Sequence, residues 1–442
     1  MHCLRRIEIL QYFCCMKLLT LAVLFLFSSL HSHAQFVEAP KREYRAVWLT
    51  TIKGLDWPQE EFKGNDTAQR AALCTILDSL KAININTILL QTRIRGDVIY
   101  PSEIEPFSPV FTGKHGVGPS YDPLAFAIDE CHKRGMQLHT WLVTIPLGDA
   151  TYVKAHGKAS LPSRRGGTAA ARRANITHIM RTLYHKVKSL KPWVCVSAAT
   201  LGKYDDTSRY SSYGWNAYHT VHQEAQEWMR MGIVDAIFPM LYYAGNHFYP
   251  FVCDWGEHAY GRHVVAGLGT YQLHPEEKNW ELEEIVRQLH VVRIHPTVAG
   301  TAQFRSQFVT DNTKGVYELL RSFHPYPALV PPMPWLNATR PTMPQGLEVT
   351  TRKHTLTLTW QPQEGVTYNI YSSNSYPVDT TDPSNLRCTY YRDTTYTIAM
   401  PSLVHPHHYA VTAIDRYGNE SEAIQWESKI TQVEPKQYNT TR

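Results

Sequence analysis

The sequence predicts an α/β protein whose larger part is a TIM-type (β/α) barrel and whose smaller, C-terminal part is an all-β sandwich. Three observations lead to this fold class. From Tyr44 to Phe304, apolar runs of strand length alternate with amphipathic helical runs, which indicates a parallel sheet. A proline-rich stretch follows, and beyond it the hydrophobic period changes to two, as in antiparallel sandwiches.

Seven barrel strands are predicted from apolar runs bounded by turn residues. They cover residues 44–51, 86–91, 136–144, 194–200, 234–241, 263–268 and 299–304. The helices between them are predicted near residues 67–80, 123–131, 169–189, 215–231 and 281–292. Asp66 or Thr67 is the expected N-cap of the first helix. Asp122, followed by Pro123 at the first helical position, is that of the second.

The fourth strand-helix unit of the barrel is missing from this pattern. Between Thr144 and Val194 there is one long helical run, preceded by a basic, glycine-rich segment without periodicity at 158–167. A parallel strand needs a crossover, usually helical, before its neighbour. The interval therefore has room for one crossover and no further strand, and we expect a gap in the sheet there.

The C-terminal region is predicted as a connector, a sandwich and a tail. Residues 325–344 contain seven prolines and predict a stiff, extended connector. Period-two runs then define a sandwich domain at 345–430, followed by a tail at 431–442. These runs cover residues 354–360, 367–371, 394–400 and 408–414. Two of them, Tyr368-Asn369-Ile370-Tyr371 and the run at 409–415, resemble a fibronectin type III domain.

The N-terminal segment is similar to a secretory signal peptide. Three basic residues precede the apolar run at 18–27, and a small residue, Ala34, is suited to cleavage. The apolar run is too short to span a bilayer comfortably. We therefore expect residues 1–34 to be removed near Ala34. The mature protein is then secreted or periplasmic, in the cell envelope, without a stable membrane span.

Charge and cysteine content exclude several partners and cofactors. The formal net charge is only +5, and no basic block suits a nucleic acid. The five cysteines after residue 34 are widely spaced, which favours buried free thiols over a disulfide framework or a zinc site. His219 and His222 stand at helical spacing without a carboxylate to complete a metal site. We predict no metal and no cofactor, and no pattern indicates an oligomeric state.

Several long segments, in order along the chain, resemble the glycosyl hydrolase-like 10 family of secreted bacterial barrel proteins. They are residues 42–58, 88–102, 215–218, 238–243 and 303–315. The resemblance extends over roughly 41–330. It implies a barrel domain at 41–324 and a bacterial glycan ligand or substrate, such as peptidoglycan strands. Family members usually carry a fourth strand ending in the motif D-G-I-H-x-D-Y-x-R-Y-P, which this sequence lacks.

Candidate site residues lie where barrel strands end, because TIM-barrel active sites occupy that face. The catalytic candidates are Asp97, Asp205 and Asp206, and Asp254 and Glu257 are further acids. The substrate-binding candidates are Trp57, Gln91, Arg93, Trp141, Trp215, Tyr242, Gln303 and Arg305. The aromatic residues would be platforms for sugar rings. The alternatives are salt bridges for the charged residues, solvated loops for the acids and core packing for the rings.

Three functional hypotheses remain open at this point. The first is a glycoside hydrolase that acts through a carboxylic acid and a carboxylate. The second is a catalytically impaired glycan-binding pseudoenzyme, because the acidic motif of the fourth strand is absent. The third is a chain that folds poorly, because a missing strand leaves buried amides of the sheet without partners.

Overall fold

The computed structural model describes residues 38–144, 154–155, 167–352, 355–399 and 408–428. The predicted signal segment at 1–34, the patternless segment up to residue 166 and the tail at 431–442 lie outside these ranges.

The N-terminal part is a curled, mostly parallel sheet with helices against it, which we call the half-barrel. Its strands are β1 (Tyr44–Leu49), β2 (Thr87–Ile94), β3 (Asp97–Val98), β4 (Gln137–Leu142), β5 (Ser197–Leu201), β6 (Ala236–Leu241), β7 (His263–Leu268) and β8 (Val298–Gln303). Seven of them run parallel in the order β4-β2-β1-β8-β7-β6-β5. The short β3 folds back antiparallel on β2.

The half-barrel is open between β4 and β5. Within the described residues, β4 pairs only with β2 and β5 pairs only with β6. The gap lies where the sequence pattern loses a strand-helix unit, and the sheet has the seven parallel strands that the pattern predicts. Every residue of β1 and β7 is buried, whereas no residue of β4 is.

Eight α-helices lie in the half-barrel region as described. They are α1 (Asp66–Ala82), α2 (Pro123–Lys133), α3 (Ala169–Leu190), α4 (Ala225–Arg230), α5 (Tyr249–Glu257), α6 (Leu282–Ile294), α7 (Ser306–Thr310) and α8 (Val316–Phe323). Asp122 caps α2 as predicted, by accepting hydrogen bonds from two first-turn amides. The cap of α1 is Asn65, one residue before the earlier predicted position.

The predicted helix at 215–231 is wrong over its first half, because only α4 is helical. The Asn216 side chain accepts hydrogen bonds from the amides of His219 and Thr220, which closes a local turn. Such a side chain competes with helical hydrogen bonds. His222 then has a φ of 60°, which a helix does not allow.

The proline-rich connector is extended, but it is packed against the half-barrel along its length. Its Leu329 pairs with Arg42 in a parallel bridge, and the Ala328 carbonyl accepts a hydrogen bond from Asn86. The side chain of Val330 joins the apolar cluster inside the sheet. These contacts lie at the amino ends of β1 and β2, so the connector covers that end of the half-barrel.

The C-terminal part is a sandwich of two antiparallel sheets. Its strands are β9 (Glu348–Arg352), β10 (Thr355–Thr359), β11 (Val366–Ser373), β12 (Leu386–Tyr391), β13 (Thr395–Ala399), β14 (His408–Asp415) and β15 (Ile424–Trp426). The sheet orders are β13-β10-β9 and β12-β11-β14-β15. Leu358 and Trp360 of one sheet pack against Ile370 and Val411 of the other. The sequence missed β9, β12 and β15, since none is a clean apolar alternation.

The sandwich contacts the half-barrel directly, and the described residues from Ala39 onward belong to one compact unit. Glu420 of the sandwich pairs with Lys41 at 2.7 Å and with Arg42 at 3.3 Å, just before β1. Thr389 touches the Gly135 backbone so closely that a Cβ there would lie 2.2 Å from the Thr389 carbonyl oxygen. The sandwich is therefore fixed beside the amino-terminal end of the half-barrel.

Candidate functional site

The candidate site is the mouth of the half-barrel, where the carboxyl ends of the seven parallel strands meet. Alternate strand residues point inward, and near the mouth several of these are aromatic. We name the aromatic cluster by its members Trp48, Tyr242, Tyr271, Phe304 and Phe308. The rings of Tyr242 and Phe304 lie 5.3 Å apart, and Trp48 meets Phe304 edge-on at 5.9 Å. These separations are typical of favourable aromatic pairs.

A glycine makes room for the largest ring of the aromatic cluster. A Cβ built on Gly267 would lie 3.0 Å from the indole of Trp48 and 2.7 Å from the Pro239 carbonyl oxygen. Only a residue without a side chain therefore fits beneath Trp48. Among the predicted residues only Tyr242 belongs to this cluster. The inward positions of β1 and β8 would have indicated the others.

Tyr242 presents an unusual polar group in the aromatic cluster. Its hydroxyl is buried and has no hydrogen-bond partner among the described residues. Burial raises the pKa of this phenol well above its ordinary value, so the hydroxyl stays protonated. A buried hydroxyl without a partner costs free energy unless a ligand or water satisfies it.

The three predicted tryptophans occupy different environments. Trp141, near the end of β4, points inward and is half-buried beside the gap. Trp215 is 70% exposed on the loop after β5. Trp57 is completely buried, donates a hydrogen bond to the Gln69 carbonyl at 2.7 Å and packs on Phe111. Trp57 therefore has no face available to a ligand in this conformation.

Gln91 and Gln303 are both buried and already hydrogen-bonded. The side-chain oxygen of Gln91 accepts hydrogen bonds from the backbone amides of Thr51 and Ile52, at 3.1 and 2.9 Å. The side-chain oxygen of Gln303 accepts a hydrogen bond from the Thr270 hydroxyl at 2.6 Å. Both side chains thus hold loops at the mouth in place.

The two predicted arginines are each paired with a carboxylate that the sequence reasoning missed. Arg93 binds both oxygens of Glu105, and it also donates to the Val143 carbonyl after β4. Arg305 pairs with Asp56, whose second oxygen accepts from the Thr50 amide at 2.7 Å. These pairs tie neighbouring strand-end loops together, and an acid directly after a predicted strand was the signal for Asp56.

The predicted catalytic acids lie in three separate settings. Asp97 is buried on β3, with the His115 imidazole 2.9 Å away. Asp205 lies 3.0 Å from the His219 imidazole on the loop after β5. Asp206 is half-exposed, and its hydrogen bond with the Lys203 ammonium lowers the pKa of its carboxyl. The structure brings Asp205 and Asp206 together but leaves Asp97 on another loop.

Asp254 of α5 is the mouth-side acid with the most unusual environment. Burial raises the pKa of its carboxyl above the ordinary value, and repulsion from Asp205 contributes in the same direction. Gln226 donates a hydrogen bond to it at 2.8 Å, and the His258 imidazole lies 3.2 Å away. The Asp205 and Asp254 carboxyls therefore repel each other, and the Asp254 carboxyl is the more buried of the two.

The described ranges contain neither a metal-binding cluster nor a membrane-spanning helix. His222 accepts a hydrogen bond from Arg172 at 2.8 Å and does not share a helix face with His219. No group of three or more potential ligand residues is arranged to hold a metal ion in that part of the chain. None of the helices described above is both long and apolar enough to cross a membrane.

A family model described as Glycosyl hydrolase-like 10 matches this chain in two segments, residues 43–149 and 144–254. The N-terminal region, residues 43–254, belongs to the glycosyl hydrolase-like 10 family. The two matched segments meet at residues 144–149, directly after β4 and at the near side of the gap. The resemblance inferred from sequence motifs is thereby confirmed.

Two curated relatives are named as glycosyl hydrolases. The chain is 25% identical over 399 residues to glycosyl hydrolase YngK of Bacillus subtilis, covering 71% of this chain and 78% of YngK. It is 23% identical over 365 residues to glycosyl hydrolase DigH of Escherichia coli, covering 60% of this chain and 83% of DigH. The alignment with YngK is 399 positions long, which is more than 71% of the 442 residues of this chain. At some aligned positions, therefore, YngK has a residue and this chain has a gap.

Among solved structures, the glycoside hydrolase domain of PgaB (BpsB) from Bordetella bronchiseptica is a neighbour. It is 12% identical, with a TM-score of 0.43, and the match covers 64% of this chain and 99% of that domain.

Proposed function

We propose that this protein is a secreted, glycan-binding member of the glycosyl hydrolase-like 10 family that holds a bacterial glycan strand across the mouth of the half-barrel. One observation carries the proposal. The gap between β4 and β5 falls where the family carries its acidic fourth-strand motif, whereas the aromatic cluster is intact. The family and the names of the relatives support a carbohydrate as the ligand.

The proposal includes an interpretation of the fold. A (β/α) barrel that has lost its fourth strand-helix unit accounts for the seven parallel strands and for the two-segment family match. The strand orders of the two C-terminal sheets support a fibronectin type III-like domain at 345–430. A signal peptide at 1–34 and a barrel domain at 41–324 complete the proposed organisation.

The mouth is better suited to binding than to hydrolysis. Glycoside hydrolysis generally needs two carboxyl groups roughly 5–10 Å apart on either side of the bond. Asp56 and Glu105 are taken up by Arg305 and Arg93, and Asp97 faces His115. The aromatic rings, by contrast, can stack on the apolar faces of sugars, and the Tyr242 hydroxyl can bond to a sugar hydroxyl.

Retention on immobilised glycan tests the binding proposal. We expect purified peptidoglycan strands to retain the wild type and Trp141→Ala to be retained about fivefold more weakly, since an aromatic contact contributes about 1 kcal/mol. Tyr376→Ala is the matched control, because Tyr376 is an exposed aromatic residue of the sandwich. Equal retention of both variants and the wild type would remove the mouth as the binding site.

Hydrolysis through Asp205 and Asp254 is a second candidate function. Its supporting observation is that burial, with repulsion from Glu257 and Asp205, raises the pKa of the Asp254 carboxyl, since a carboxylic acid whose surroundings favour its protonated form is what general-acid catalysis uses. This candidate predicts that reducing ends are released from glycan strands and that Asp254→Asn or Asp205→Asn abolishes the release. If the wild type releases none while still binding, the binding proposal stands alone.

A further inference from the structure

We propose that the gap between β4 and β5 is a docking groove for an extended, apolar peptide segment of a partner protein. The inserted segment would form the strand that the half-barrel lacks. This inference does not rest on glycan binding, because the groove opens on the side of the sheet, although Trp141 borders both the groove and the mouth.

The first observation is a pair of facing strand edges. Among the described residues, the outer edge of β4 and the outer edge of β5 have no strand beside them. The two strands run in the same direction, as do all seven parallel strands of the sheet. One inserted strand can therefore form ladder hydrogen bonds on both of its sides, and unpaired edges of this kind readily accept an added strand.

The second observation is the size and the lining of the space. A cavity of about 1010 Å³ lies between β4, β5, α3 and the edge of the sandwich. This volume is at the upper end of typical ligand sites, about 300–1,000 Å³. Its wall includes apolar side chains that are exposed to solvent, with Leu142 at 39%, Leu183 at 39% and Leu190 at 66%.

The outer face of the inserted strand would meet apolar surface, and its inner face would lie over a mixed surface that includes the His139 and Ser197 side chains, which are 3.3 Å apart. Inward residues of the insert would lie beside Trp141 and Ala199, which pack on the apolar interior. Outward residues would face Leu183 and Leu190 of α3. A strand buried on both faces is a nearly continuous apolar run. Since β4 has six residues and β5 has five, about six apolar residues fill the gap.

The charged side chains around the cavity indicate which charge should flank the apolar stretch of the inserted peptide. Lys191, Arg392 and Arg416 line the cavity, and the acid among the lining residues is Asp415. The Asp415 carboxylate accepts hydrogen bonds from the amides of its own turn. The Arg416 guanidinium lies over the ring of Trp193, 4.5 Å from its centroid. An apolar segment flanked by acidic residues therefore complements this rim.

A designed peptide gives a direct test with the full-length secreted protein. The probe is the fluorescently labelled peptide DEVIVIVTDE, which places six strand-forming residues between acidic pairs. We expect saturable binding by fluorescence anisotropy. The peptide DEVIPIVTDE should bind at least about tenfold more weakly, since proline removes a ladder donor. The peptide KKVIVIVTKK, with basic flanks, should also bind more weakly.

Variants of the protein locate the binding site. Leu183→Glu places a charge in the wall of the groove at a position exposed enough to keep the fold, and should weaken binding at least about tenfold. Ile294→Glu is the matched control, because Ile294 is a 60% exposed apolar residue at the end of α6. Arg416→Glu should weaken DEVIVIVTDE while strengthening the basic-flanked peptide. Thermal melts report whether each variant is folded.

Amide hydrogen exchange supplies a readout that surface adhesion would not change. Bound DEVIVIVTDE should slow exchange at β4 and β5 and leave β1 and β7 unchanged. Four outcomes overturn the proposal. They are equal binding of the proline peptide, equal binding by Leu183→Glu, protection of β4 and β5 in the protein alone, and a dimer in sedimentation that Leu183→Glu dissociates. The last would identify a second copy of the chain as the occupant.

Discussion

The closed side and the open side of the half-barrel differ in burial. On the closed side, all six residues of β1 and all six of β7 are buried. On the open side, none of the six residues of β4 is buried, and only Thr200 is among the five of β5. The open-side strands also carry more polar residues, so the burial of a parallel strand here follows both its neighbours and its composition.

The same contrast applies to the two inward tryptophans near the mouth. Trp48 on β1 is 2% exposed, held between Phe238 and Phe304. Trp141 on β4 is half-buried, because no strand among the described residues covers its other side. Trp48 therefore acts as part of the scaffold, while Trp141 is the ring that a ligand can reach.

The largest expected effect comes from leucines at the ends of two strands. Leu49 ends β1 and is completely buried, whereas Leu142 ends β4 at the gap. Leu49→Ala should lower the free energy of unfolding by about 3 kcal/mol, since it leaves a cavity. Leu142→Ala should lower it by less than about 1 kcal/mol. Urea denaturation measures both, and similar losses would show that the gap is filled in solution.

A smaller effect is expected from one ion pair on each side. Asp56→Asn leaves the largely buried Arg305 without its carboxylate and should cost about 2 kcal/mol. Near the gap, Asp129 and Arg392 are half-exposed and 3.7 Å apart, so Asp129→Asn should cost less than about 1 kcal/mol. A double-mutant cycle for each pair isolates the coupling energy. Equal coupling in the two pairs would contradict the comparison.

Counted per histidine and per pH unit, the smallest effect is a pH dependence carried by two inward histidines. Burial lowers the pKa of His263 on β7 to about 4, and it also lowers the pKa of His139 on β4, from an ordinary 6.5 for each. The unfolded chain therefore takes up protons first as the pH falls. Stability is complete above about pH 6.5 and is lost toward pH 4, by at most about 1.4 kcal/mol per pH unit for each histidine.

Substituting the two histidines separates the closed side from the open side. His263→Gln should flatten the slope of unfolding free energy between pH 6.5 and 4. His139→Gln should flatten it less, because His139 is half-buried under the gap and water can reach it. The slope should be compared rather than the absolute stability, since His263 also bonds to the Tyr44 hydroxyl. A steeper dependence on His139 would place that side chain in a sealed interior.

Much of the fold could be predicted because its strands and helix caps are determined by residues that are close together in the sequence. The strand at 263–268 was placed to the residue, and the Asp122 cap followed from one side chain and one proline. The turn at Asn216 could not be predicted from periodicity, since hydrophobic spacing there also fits a helix. The packing of the connector depends on contacts between Leu329 and Arg42, nearly 300 residues apart in sequence.

The candidate site was harder to predict than the fold. Sequence position places Gln91, Arg93 and Arg305 at strand ends, but it does not reveal what their polar atoms already contact. Asp56 and Glu105 take up the two guanidinium groups, and both partners are distant in sequence or lie in loops without a motif. The aromatic cluster depends on which residues point inward, which follows from the register of paired strands.

The packed connector determines how the two halves of the protein unfold. Val330 fills the interior at the amino ends of the strands, and Trp335 donates a hydrogen bond to the buried carboxylate of Asp235. Glu420 holds the segment that enters β1. Loss of the sandwich would therefore uncover apolar and charged groups of the half-barrel at once. We therefore expect the two parts to share a single cooperative unfolding transition, and a truncated half-barrel to be less stable than the half-barrel of the full chain.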